Sequence, residues 1–301
     1  MSDFRSGFAT FVGRPNVGKS TLVNSLVGAK VTITSPRPQT TRTTVRGVRD
    51  TPTSQLVLLD TPGLHRPRTP LGERTNARAR TALNDVDVIG LVIEASASIG
   101  PGDRYIAAAV HAVDTPCVLV LNKTDAASPA AIAAHLADAQ ARLGDFAAYI
   151  PCSARTGEHI DVLATELEAH LAPGPRYYPE GTVTDQPETF VAAELVREQL
   201  LAVARDELPH SIAVTVEELE ADPDQPAGAG DVLRLAVDIR VERESQKGIV
   251  IGHRGAALKA AVSAARHELE TLLGTRVYLR TRVRVERDWQ RRPDALDRLG
   301  L

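Results

Sequence analysis

The sequence has few cysteines and no long apolar run. Of its 301 residues only Cys117 and Cys152 are cysteines, and both lie in apolar, strand-like stretches, PCVLVLNK and YIPCSA. Buried free thiols are therefore expected, not a disulfide or a metal-binding pair. No stretch approaches the roughly 18 apolar residues of a membrane span, and the N-terminal MSDFRSGF lacks the basic and apolar regions of a signal peptide. These absences predict a cytoplasmic protein.

Charge is nearly balanced over the chain but unevenly distributed. The formal net charge is −3, yet residues 247–292 contain eleven Lys and Arg against four Asp and Glu. A basic patch of this size on an acidic protein is compatible with binding to a polyanion. Charge alone favours the plainer explanation, a solvated charged surface.

The alternation of apolar and amphipathic stretches predicts two domains. In residues 1–172, strand-like runs such as QLVLLD alternate with helical patterns such as PAAIAAHLADAQARL, which is typical of an α/β domain with a mostly parallel sheet. Residues 173–188, rich in Pro and Gly, are the expected linker. Residues 189–301 are predicted to form a helix to about 208, two strands separated by the turn-rich 221–230, further helices and a strand, as in a smaller α+β module.

A phosphate-binding loop is the clearest motif. Residues 13–20, GRPNVGKS, match G-x-x-x-x-G-K-S between an apolar strand and a helix. In this context backbone N–H groups wrap the β-phosphate, Lys19 contacts the β- and γ-phosphates, and the Ser20 hydroxyl ligates Mg²⁺. An accidental Gly-rich turn is a poor alternative, because the pattern arises by chance in about one chain in a hundred of this length. The loop predicts a nucleoside triphosphate site.

Two strand ends predict that the base is guanine. Asn122-Lys123-Thr124-Asp125 follows the apolar run CVLVL, at the end of a strand where open α/β sheets bind ligands. The Asp125 carboxylate can accept from guanine N1–H and the exocyclic amine, a donor pair that adenine lacks, and Lys123 can lie along the base. After the next strand, the Ser153–Ala154 backbone can donate to guanine O6. A helix cap is the alternative role of Asp125, and the second base-reading element makes that alternative weaker.

Between these motifs lie residues suited to sensing a γ-phosphate. Asp60 ends a strand in LLDTPGLHRP and can hold Mg²⁺ through water. The Gly63 N–H can bond a γ-phosphate and turn away after its loss. Upstream, Thr40 and Thr41 in PQTTRTT offer hydroxyls that can complete Mg²⁺ coordination.

Taken in order, these elements resemble a translation-factor-type GTPase domain. All five signature elements are present, but Leu64 stands where Ras-like enzymes carry a water-orienting glutamine. GTPases that share G-R-P-N-x-G-K-S and T-T-R have a K⁺ ion held partly by the loop asparagine. That resemblance implies that Asn16 and Thr40 contact K⁺ and that Thr41 contacts Mg²⁺. It also implies slow intrinsic hydrolysis that K⁺ accelerates.

The motifs together define one expected site. The expected catalytic residues are Lys19, Thr41 and Gly63. The expected nucleotide-binding residues are Gly13, Arg14, Pro15, Asn16, Val17, Gly18, Lys19, Ser20, Thr21, Asp60, Thr61, Pro62, Gly63, Leu64, Asn122, Lys123, Thr124, Asp125, Ser153 and Ala154. The expected metal ligands are Ser20, Thr41 and Asp60 for Mg²⁺, and Asn16 and Thr40 for K⁺.

A second glycine loop, Gly252-His253-Arg254-Gly255, lies in the C-terminal module. G-x-x-G alone arises about once by chance in a chain with 21 glycines, and a closely packed helix N-terminus is its alternative explanation. Its setting, with two strands upstream and a helix and a strand downstream, resembles a type II KH domain, whose loop clamps single-stranded nucleic acid. The resemblance implies RNA binding by Lys247, Gly252, His253, Arg254, Gly255 and Lys259.

A GTPase domain followed by a KH domain is similar to the bacterial Era GTPases over nearly the whole chain. Further matches are TPGLHRPRTPLGER, LPHSIAVTVEE, ESQKGIVIGHRG and DWQRRPDALDRLG. The chain departs from the family at His253-Arg254, where Lys is frequent, and in a longer turn at 221–230. The resemblance implies a monomer that binds GTP and GDP and the 3′ end of 16S ribosomal RNA during assembly of the 30S subunit. Peripheral membrane association is a family tendency for which no anchor is visible.

Two other functions are compatible with parts of the sequence. A metabolic ATPase or kinase with a C-terminal oligomerisation module is opposed by Asn122 and Asp125. A GTP-binding RNA scaffold without meaningful turnover is left open by the missing glutamine. Phosphate release measured in KCl and in NaCl separates such a scaffold from a slow GTPase.

Overall fold

The chain divides into two compact units, Met1–Asp185 and Gln186–Leu301. The computed structural model describes residues 4–37, 40–64, 67, 69–203, 211–218 and 232–301. The predicted turn at 221–230 therefore lies outside the described residues, as does the end of the helix predicted to run to 208. No helix in the described ranges has the length and apolar character that crossing a bilayer requires.

The first unit is built on one sheet with helices on both faces. Its strands are β1 (Arg5–Val12), β2 (Val45–Asp50), β3 (Ser54–Asp60), β4 (Val88–Glu94), β5 (Cys117–Asn122), β6 (Ala148–Pro151) and β7 (Ala172–Pro173). Its helices are α1 (Lys19–Val27), α2 (Pro70–Asn84), α3 (Pro101–Val110), α4 (Pro129–Leu143) and α5 (Ile160–Ala169). The strand order is β2-β3-β1-β4-β5-β6, with β7 paired to β1.

The pairing directions place the ends of several strands at one edge of this sheet. Strands β3, β1, β4, β5 and β6 run parallel, whereas β2 and β7 pair antiparallel with β3 and β1. The carboxyl ends of the parallel strands therefore share an edge, which is where ligands bind in open α/β sheets. The predicted α/β fold with a mostly parallel sheet is confirmed.

Side-chain alternation builds a core on each face of the sheet. On β3, Leu56 and Leu58 pack with residues of α1 and α5, whereas Val57 and Leu59 pack with residues of α2, α3 and α4. Successive side chains of a strand point to opposite faces. A strand that is covered on both faces is therefore apolar throughout its length, which explains why the run QLVLLD is entirely buried.

The chain that follows β7 lies along the first unit. The Val48 N–H donates to the Val183 carbonyl at 2.9 Å, so this segment adds hydrogen bonds to edge strand β2. The fully buried Gln55 accepts from the backbone N–H groups of Tyr177 and Tyr178 at 2.8 and 2.9 Å. Much of the Pro- and Gly-rich stretch is thus held by specific hydrogen bonds.

The second unit is a three-stranded sheet with helices packed against one face. Its described elements are α6 (Glu188–Val203), β8 (Ala213–Glu218), β9 (Val232–Val241), α7 (Glu244–Ile251), α8 (Ala256–Leu273), β10 (Arg276–Val285) and α9 (Pro293–Arg298). The strand order is β10-β9-β8, with β10 parallel and β8 antiparallel to β9. This element order agrees with the predicted smaller α+β module.

Alternate residues of β9 form the core of the second unit. Val237 and Ile239 are buried and belong to one apolar cluster with residues of α6, α7 and α8. Trp289, the only tryptophan of the chain, is fully buried after β10. Its Nε1–H donates to the Ser211 carbonyl at 3.1 Å, which satisfies the one polar group of the indole.

Candidate functional site

The loop between β1 and α1 holds a buried lysine against its own backbone. Helix α1 begins at Lys19, whose Nζ donates to the carbonyl oxygens of Gly13 and Arg14 at 3.0 and 2.9 Å. Gly18 has φ 100°, and a Cβ there would lie 2.3 Å from Asn122 Nδ2, so the position requires glycine. Burial lowers the pKa of Lys19 from 10.5 to about 8, although the charge of Asp60 opposes this. A helix N-terminus beside a lysine is an arrangement that suits an anion.

A cleft of about 490 Å³ opens at this loop. Residues from four predicted motifs line it, among them Asn16, Lys19, Thr41, Gly63 and Lys123. Its volume lies in the range of small-molecule sites, which is roughly 300–1,000 Å³. The structure thus brings together motifs that are separated by about a hundred residues in the sequence.

Three hydroxyl groups converge on the carboxylate of Asp60. Its Oδ2 accepts from Ser20 Oγ at 2.8 Å, from Thr32 Oγ1 at 2.7 Å and from Thr41 Oγ1 at 3.1 Å. Burial raises the pKa of the Asp60 carboxyl, while the hydroxyls and Lys19 oppose the rise. Ser20, Thr41 and Asp60 were expected at one site from the sequence. Thr32 was not, because no motif marks the loop that carries it.

Asn16 and Thr40 both bond to carbonyl groups of the segment after Thr32. Asn16 Nδ2 donates to the Pro36 carbonyl at 2.6 Å, and Thr40 Oγ1 donates to the Arg37 carbonyl at 2.7 Å. Asn16 has φ 66°, a left-handed conformation that asparagine tolerates better than most residues. The two residues predicted to contact K⁺ are therefore bonded to consecutive residues of one segment.

The side chain of Asn122 connects three loops. Its Nδ2 donates to the Val17 carbonyl in the phosphate loop at 2.8 Å, and its Oδ1 accepts from the Ala154 N–H at 3.0 Å. Asn122 itself is buried at the end of β5. The Asn122–Asp125 and Ser153–Ala154 segments adjoin because β5 and β6 are neighbouring parallel strands.

The carboxylate of Asp125 has a partner on each oxygen. Oδ1 accepts from Ser153 Oγ at 2.5 Å, and Oδ2 is paired with the guanidinium of Arg155. The Ser153 hydrogen bond, with the charge of Arg155, holds the pKa of Asp125 below its ordinary value. Lys123, which lines the cleft, bonds through Nζ to Glu94 Oε2 at 2.8 Å. The sequence analysis identified neither Arg155 nor Glu94. Arg155 could have been noticed as a basic residue directly after Ser153–Ala154.

The remaining predicted nucleotide residues fall into cleft and core positions. Pro15, Thr21 and Pro62 line the cleft. Val17 and Thr61 are buried, and Thr124 Oγ1 donates to Glu158 Oε2 at 2.9 Å. Leu64 is only 3% exposed and belongs to the apolar core beneath α2.

The second glycine loop joins α7 to α8 and exposes its two central side chains. Gly252 and Gly255 have φ 73° and 80°, and Arg254 between them has φ 49°. A Cβ on Gly252 would lie 2.6 Å from the Cβ of Ala257, so this glycine is required by close packing as well as by its φ. His253 and Arg254 are exposed, as is Lys259 on the first turns of α8, and Lys247 on α7 is partly exposed.

Part of the basic segment 247–292 lies on the exposed face of the three-stranded sheet. Arg280, Arg282 and Arg284 alternate along the exposed face of β10. Val283 and Val285 lie on the other face of this strand, packed against the core that α7 and α8 cover. Because successive side chains of a strand point to opposite faces, these arginines lie on the face of the sheet opposite the one that α7 and α8 cover. The glycine loop joins those two helices.

Two family models match this chain in separate regions. The model described as "50S ribosome-binding GTPase" matches residues 8–123, and the model described as "KH domain" matches residues 207–290. GTPase Era from Mycobacterium sp. (strain JLS) is 51% identical over 303 residues, covering 100% of both chains. GTPase Era from Nocardioides sp. (strain ATCC BAA-499 / JS614) is 50% identical, covering 99% of this chain and 96% of that relative.

Solved structures of Era match over nearly the full length. An Era structure in complex with MgGDPNP and nucleotides 1506–1542 of 16S ribosomal RNA superposes with a TM-score of 0.94, at 36% identity and 99% coverage of both chains. An Aquifex aeolicus Era variant bound to GDP and AlF₄⁻ matches with the same values. The family expected from the sequence is confirmed: this chain belongs to the Era family of GTPases, in which a GTP-hydrolysing P-loop domain is followed by a KH domain.

Proposed function

We propose that this GTPase binds single-stranded 16S ribosomal RNA near its 3′ end and assists assembly of the 30S subunit. The proposal rests chiefly on the loop 252–255, where glycines with positive φ flank the exposed His253 and Arg254. KH loops of this pattern clamp the backbone of single-stranded RNA. The related Era structure with nucleotides 1506–1542 of 16S ribosomal RNA supports the choice of partner. Lys247 and Lys259 are the proposed additional phosphate contacts.

The proposed nucleotide site uses the residues expected from the sequence. The loop 13–20 and Lys19 bind the phosphates, and Asp125 reads the N1–H and amino group of guanine. The backbone of Ser153–Ala154 donates to guanine O6. Support comes from the hydrogen bonds of Asn122 to both loops, because they hold the phosphate and base positions in one rigid arrangement.

Ser20, Thr41 and Asp60 are the proposed Mg²⁺ ligands, directly or through water. Carboxylate and hydroxyl oxygens suit this hard cation, and the buried Asp60 Oδ1 has no hydrogen-bond partner among the described residues. Mg²⁺ held there supplies positive charge to the β- and γ-phosphate oxygens. Asn16 and Thr40 are the proposed K⁺ contacts, and the nearby carbonyl groups of residues 36 and 37 are of the kind that coordinates K⁺.

Lys19, Thr41 and Gly63 are the proposed catalytic residues. Lys19 places positive charge at the γ-phosphate, and the Gly63 N–H donates to it. The next residue, Leu64, packs into the apolar core, so its side chain cannot orient an attacking water. We therefore propose slow intrinsic hydrolysis that K⁺ accelerates.

We further propose a monomer located in the cytoplasm, where its ribosomal partner is assembled. Peripheral membrane association stays a prediction, and flotation with anionic lipid vesicles tests it.

The domain boundaries drawn from the sequence also stay predictions. They are a GTPase domain at 1–172, a linker at 173–188 and a KH domain at 189–301. Limited proteolysis with mass analysis of the fragments tests them.

The proposed function is tested by binding of labelled single-stranded RNA ending in the 16S 3′ sequence, with GDP, a non-hydrolysable GTP analogue or no nucleotide. We expect binding that is lost when the same RNA is annealed to its complement, because the KH loop needs an unpaired strand. Absence of binding in every nucleotide state would contradict the RNA partner while leaving the GTPase activity intact.

A further inference from the structure

The carboxylate proposed to read guanine is paired with an arginine of the same chain. The Arg155 guanidinium contacts Asp125 Oδ2, while Ser153 occupies Oδ1. The Arg155 side chain is 74% exposed, whereas that of Asp125 is 13% exposed. Arg155 makes no other ion pair among the described residues, so Asp125 is what holds its guanidinium in place.

The chemistry of this pair resembles the contact that guanine would make. The N1–H and C2 amino groups of guanine form a planar guanidine fragment that donates two parallel hydrogen bonds. An arginine side chain presents the same kind of planar N–H donors and matches carboxylate geometry in the same way. Arg155 and guanine therefore compete for Oδ2 of Asp125, whereas Oδ1 can accept from guanine as well as from Ser153, because a carboxylate oxygen has two lone pairs.

The surrounding base site is already formed. Asn122 bonds to Val17 in the phosphate loop and to Ala154 after β6, and Thr124 is held by Glu158. For a base to reach Asp125, the main change needed is the departure of one exposed side chain. Such a change costs the ion pair and little packing.

We propose that Arg155 is a built-in competitor of guanine at Asp125, which weakens the binding of guanine nucleotides and speeds their release. This inference rests on the proposed base-reading role of Asp125. An exposed ion pair contributes about 0.2–1 kcal/mol, so removing it should tighten GDP and GTP binding by roughly 1.5- to fivefold. A stacking role of Arg155 on the base would have the opposite sign, because its loss would weaken binding.

The test compares Arg155→Ala with the wild type in equilibrium binding and dissociation of fluorescent GDP. We expect tighter binding and slower dissociation, with Arg155→Lys intermediate because an ammonium lacks the planar donor pair. The gain should shrink when NaCl is added at fixed KCl, because screening weakens the competing ion pair. Arg142→Ala is the matched control, since Arg142 is also an exposed arginine paired with an aspartate, Asp138 on α4. Unchanged or weaker GDP binding by Arg155→Ala would overturn the proposal.

Repeating Arg155→Ala in the Asp125→Asn variant separates the competitor role of Arg155 from the base-reading role of Asp125. If Asp125→Asn leaves GDP affinity unchanged, the base-reading role fails. If Asp125→Asn weakens GDP binding but Arg155→Ala has the same effect in both backgrounds, only the competitor role fails. The proposal requires that the gain from Arg155→Ala be largely lost in the Asp125→Asn background, because the carboxamide carries no charge to hold the guanidinium.

Discussion

Asn122 Nδ2 lies 2.8 Å from the carbonyl oxygen of Val17, so the residue that ends β5 also holds the phosphate loop. The same side chain accepts from Ala154, and the neighbouring Gly18 has no room for a Cβ beside it. The proposed base and phosphate portions of the site thus depend on one buried amide.

Replacing Asn122 with alanine should weaken GDP and GTP together. The substitution leaves the Val17 carbonyl and the Ala154 N–H without their partner, and a buried unsatisfied group costs about 1–3 kcal/mol. We expect dissociation constants for both nucleotides to rise by roughly five- to 150-fold, measured by titration calorimetry. Asn84→Ala is the control, because Asn84 is exposed and, within the part of the chain that the structure describes, its amide bonds only to the Arg80 carbonyl of α2. A selective loss of GTP with normal GDP binding would contradict this account.

Asp125→Asn should turn the preference from guanine toward xanthine nucleotides. The amide offers a donor to the 2-keto group of xanthine but loses its charge-assisted bonds to guanine, which contribute about 1.5–3 kcal/mol each. GTP affinity should fall by roughly ten- to several hundred-fold, while XTP binding should improve. Competition of unlabelled GTP and of unlabelled XTP against labelled GDP measures both changes. Equal GTP affinity in the variant and the wild type would rule out base reading by Asp125.

The buried Lys19 predicts proton uptake on nucleotide binding at high pH. Its pKa is lowered to about 8 without nucleotide, and a bound triphosphate should raise it again. Above pH 8 the lysine must therefore gain a proton on binding, and affinity should fall with rising pH by at most about tenfold per unit. Calorimetry at pH 9 in two buffers of different ionisation enthalpy measures the uptake. No uptake at pH 9 would show that Lys19 is already charged.

The same lowered pKa of Lys19 predicts that stability rises with pH, whereas nucleotide affinity falls. The folded value lies below the ordinary value of 10.5, so between about pH 8 and 10.5 the unfolded chain binds more protons than the folded chain. The contribution of Lys19 to the free energy of unfolding of the nucleotide-free protein should therefore increase as the pH rises through this window. The difference in denaturant midpoint between the wild type and Lys19→Met, followed across that window, isolates this contribution.

Asn16→Ala should abolish stimulation of hydrolysis by K⁺ while leaving GDP binding near normal. The substitution removes a side chain that bonds to the Pro36 carbonyl but leaves the N–H groups of the phosphate loop in place. Phosphate release is measured under single-turnover conditions in KCl and in NaCl. Identical wild-type rates in the two salts would exclude the K⁺ role, whatever the variant does.

Replacing His253 and Arg254 together with aspartate should abolish RNA binding and leave GTP binding unchanged. Two negative charges would stand where the strand must pass, and the salt dependence of any remaining binding should flatten by on the order of 0.7 per lost phosphate contact. Both side chains are exposed and both glycines are kept, so the fold should survive.

Arg280 and Arg282 offer a matched control for that experiment. They are exposed on β10, away from the core that α7 and α8 cover, and their replacement with aspartate introduces comparable negative charge. We expect this control to keep most RNA affinity. If the control loses RNA binding and the loop variant keeps it, the exposed sheet face is the RNA surface and the glycine loop is a packing turn.

The sequence predicted the parts of the site that are local motifs, and the parallel sheet explains why they meet. Asp60 and Asn122 end β3 and β5, and the loop that leads to Lys19 follows β1, so knowing the strand order suffices to bring them together. Thr32 could not be assigned in this way, and Arg155 directly follows Ser153–Ala154 but carries no mark of its pairing with Asp125. Their roles depend on contacts between loops, which have neither a period nor a spacing.

Amino-acid composition predicted little about the contacts of the Pro- and Gly-rich stretch or about the placement of the basic residues. The Pro- and Gly-rich stretch after β7 shows only that no helix or strand pattern continues, not that Tyr177 and Tyr178 bond to the distant Gln55. A count of charged residues likewise does not say which face of a strand each side chain lies on. The alternation in RVYLRTRVRV did carry that information, since residues two apart on a strand share a face.

The burial of Trp289 makes the two units distinguishable by spectroscopy. The chain has one tryptophan, and it lies in the core of the second unit with its Nε1–H bonded to Ser211. Indole emission excited near the red edge of absorption therefore reports on the KH unit alone, while circular dichroism reports on helices of both. If the emission and dichroism transitions separate in denaturant, and GDP shifts only the dichroism transition, nucleotide binding stabilises the first unit without stabilising the second.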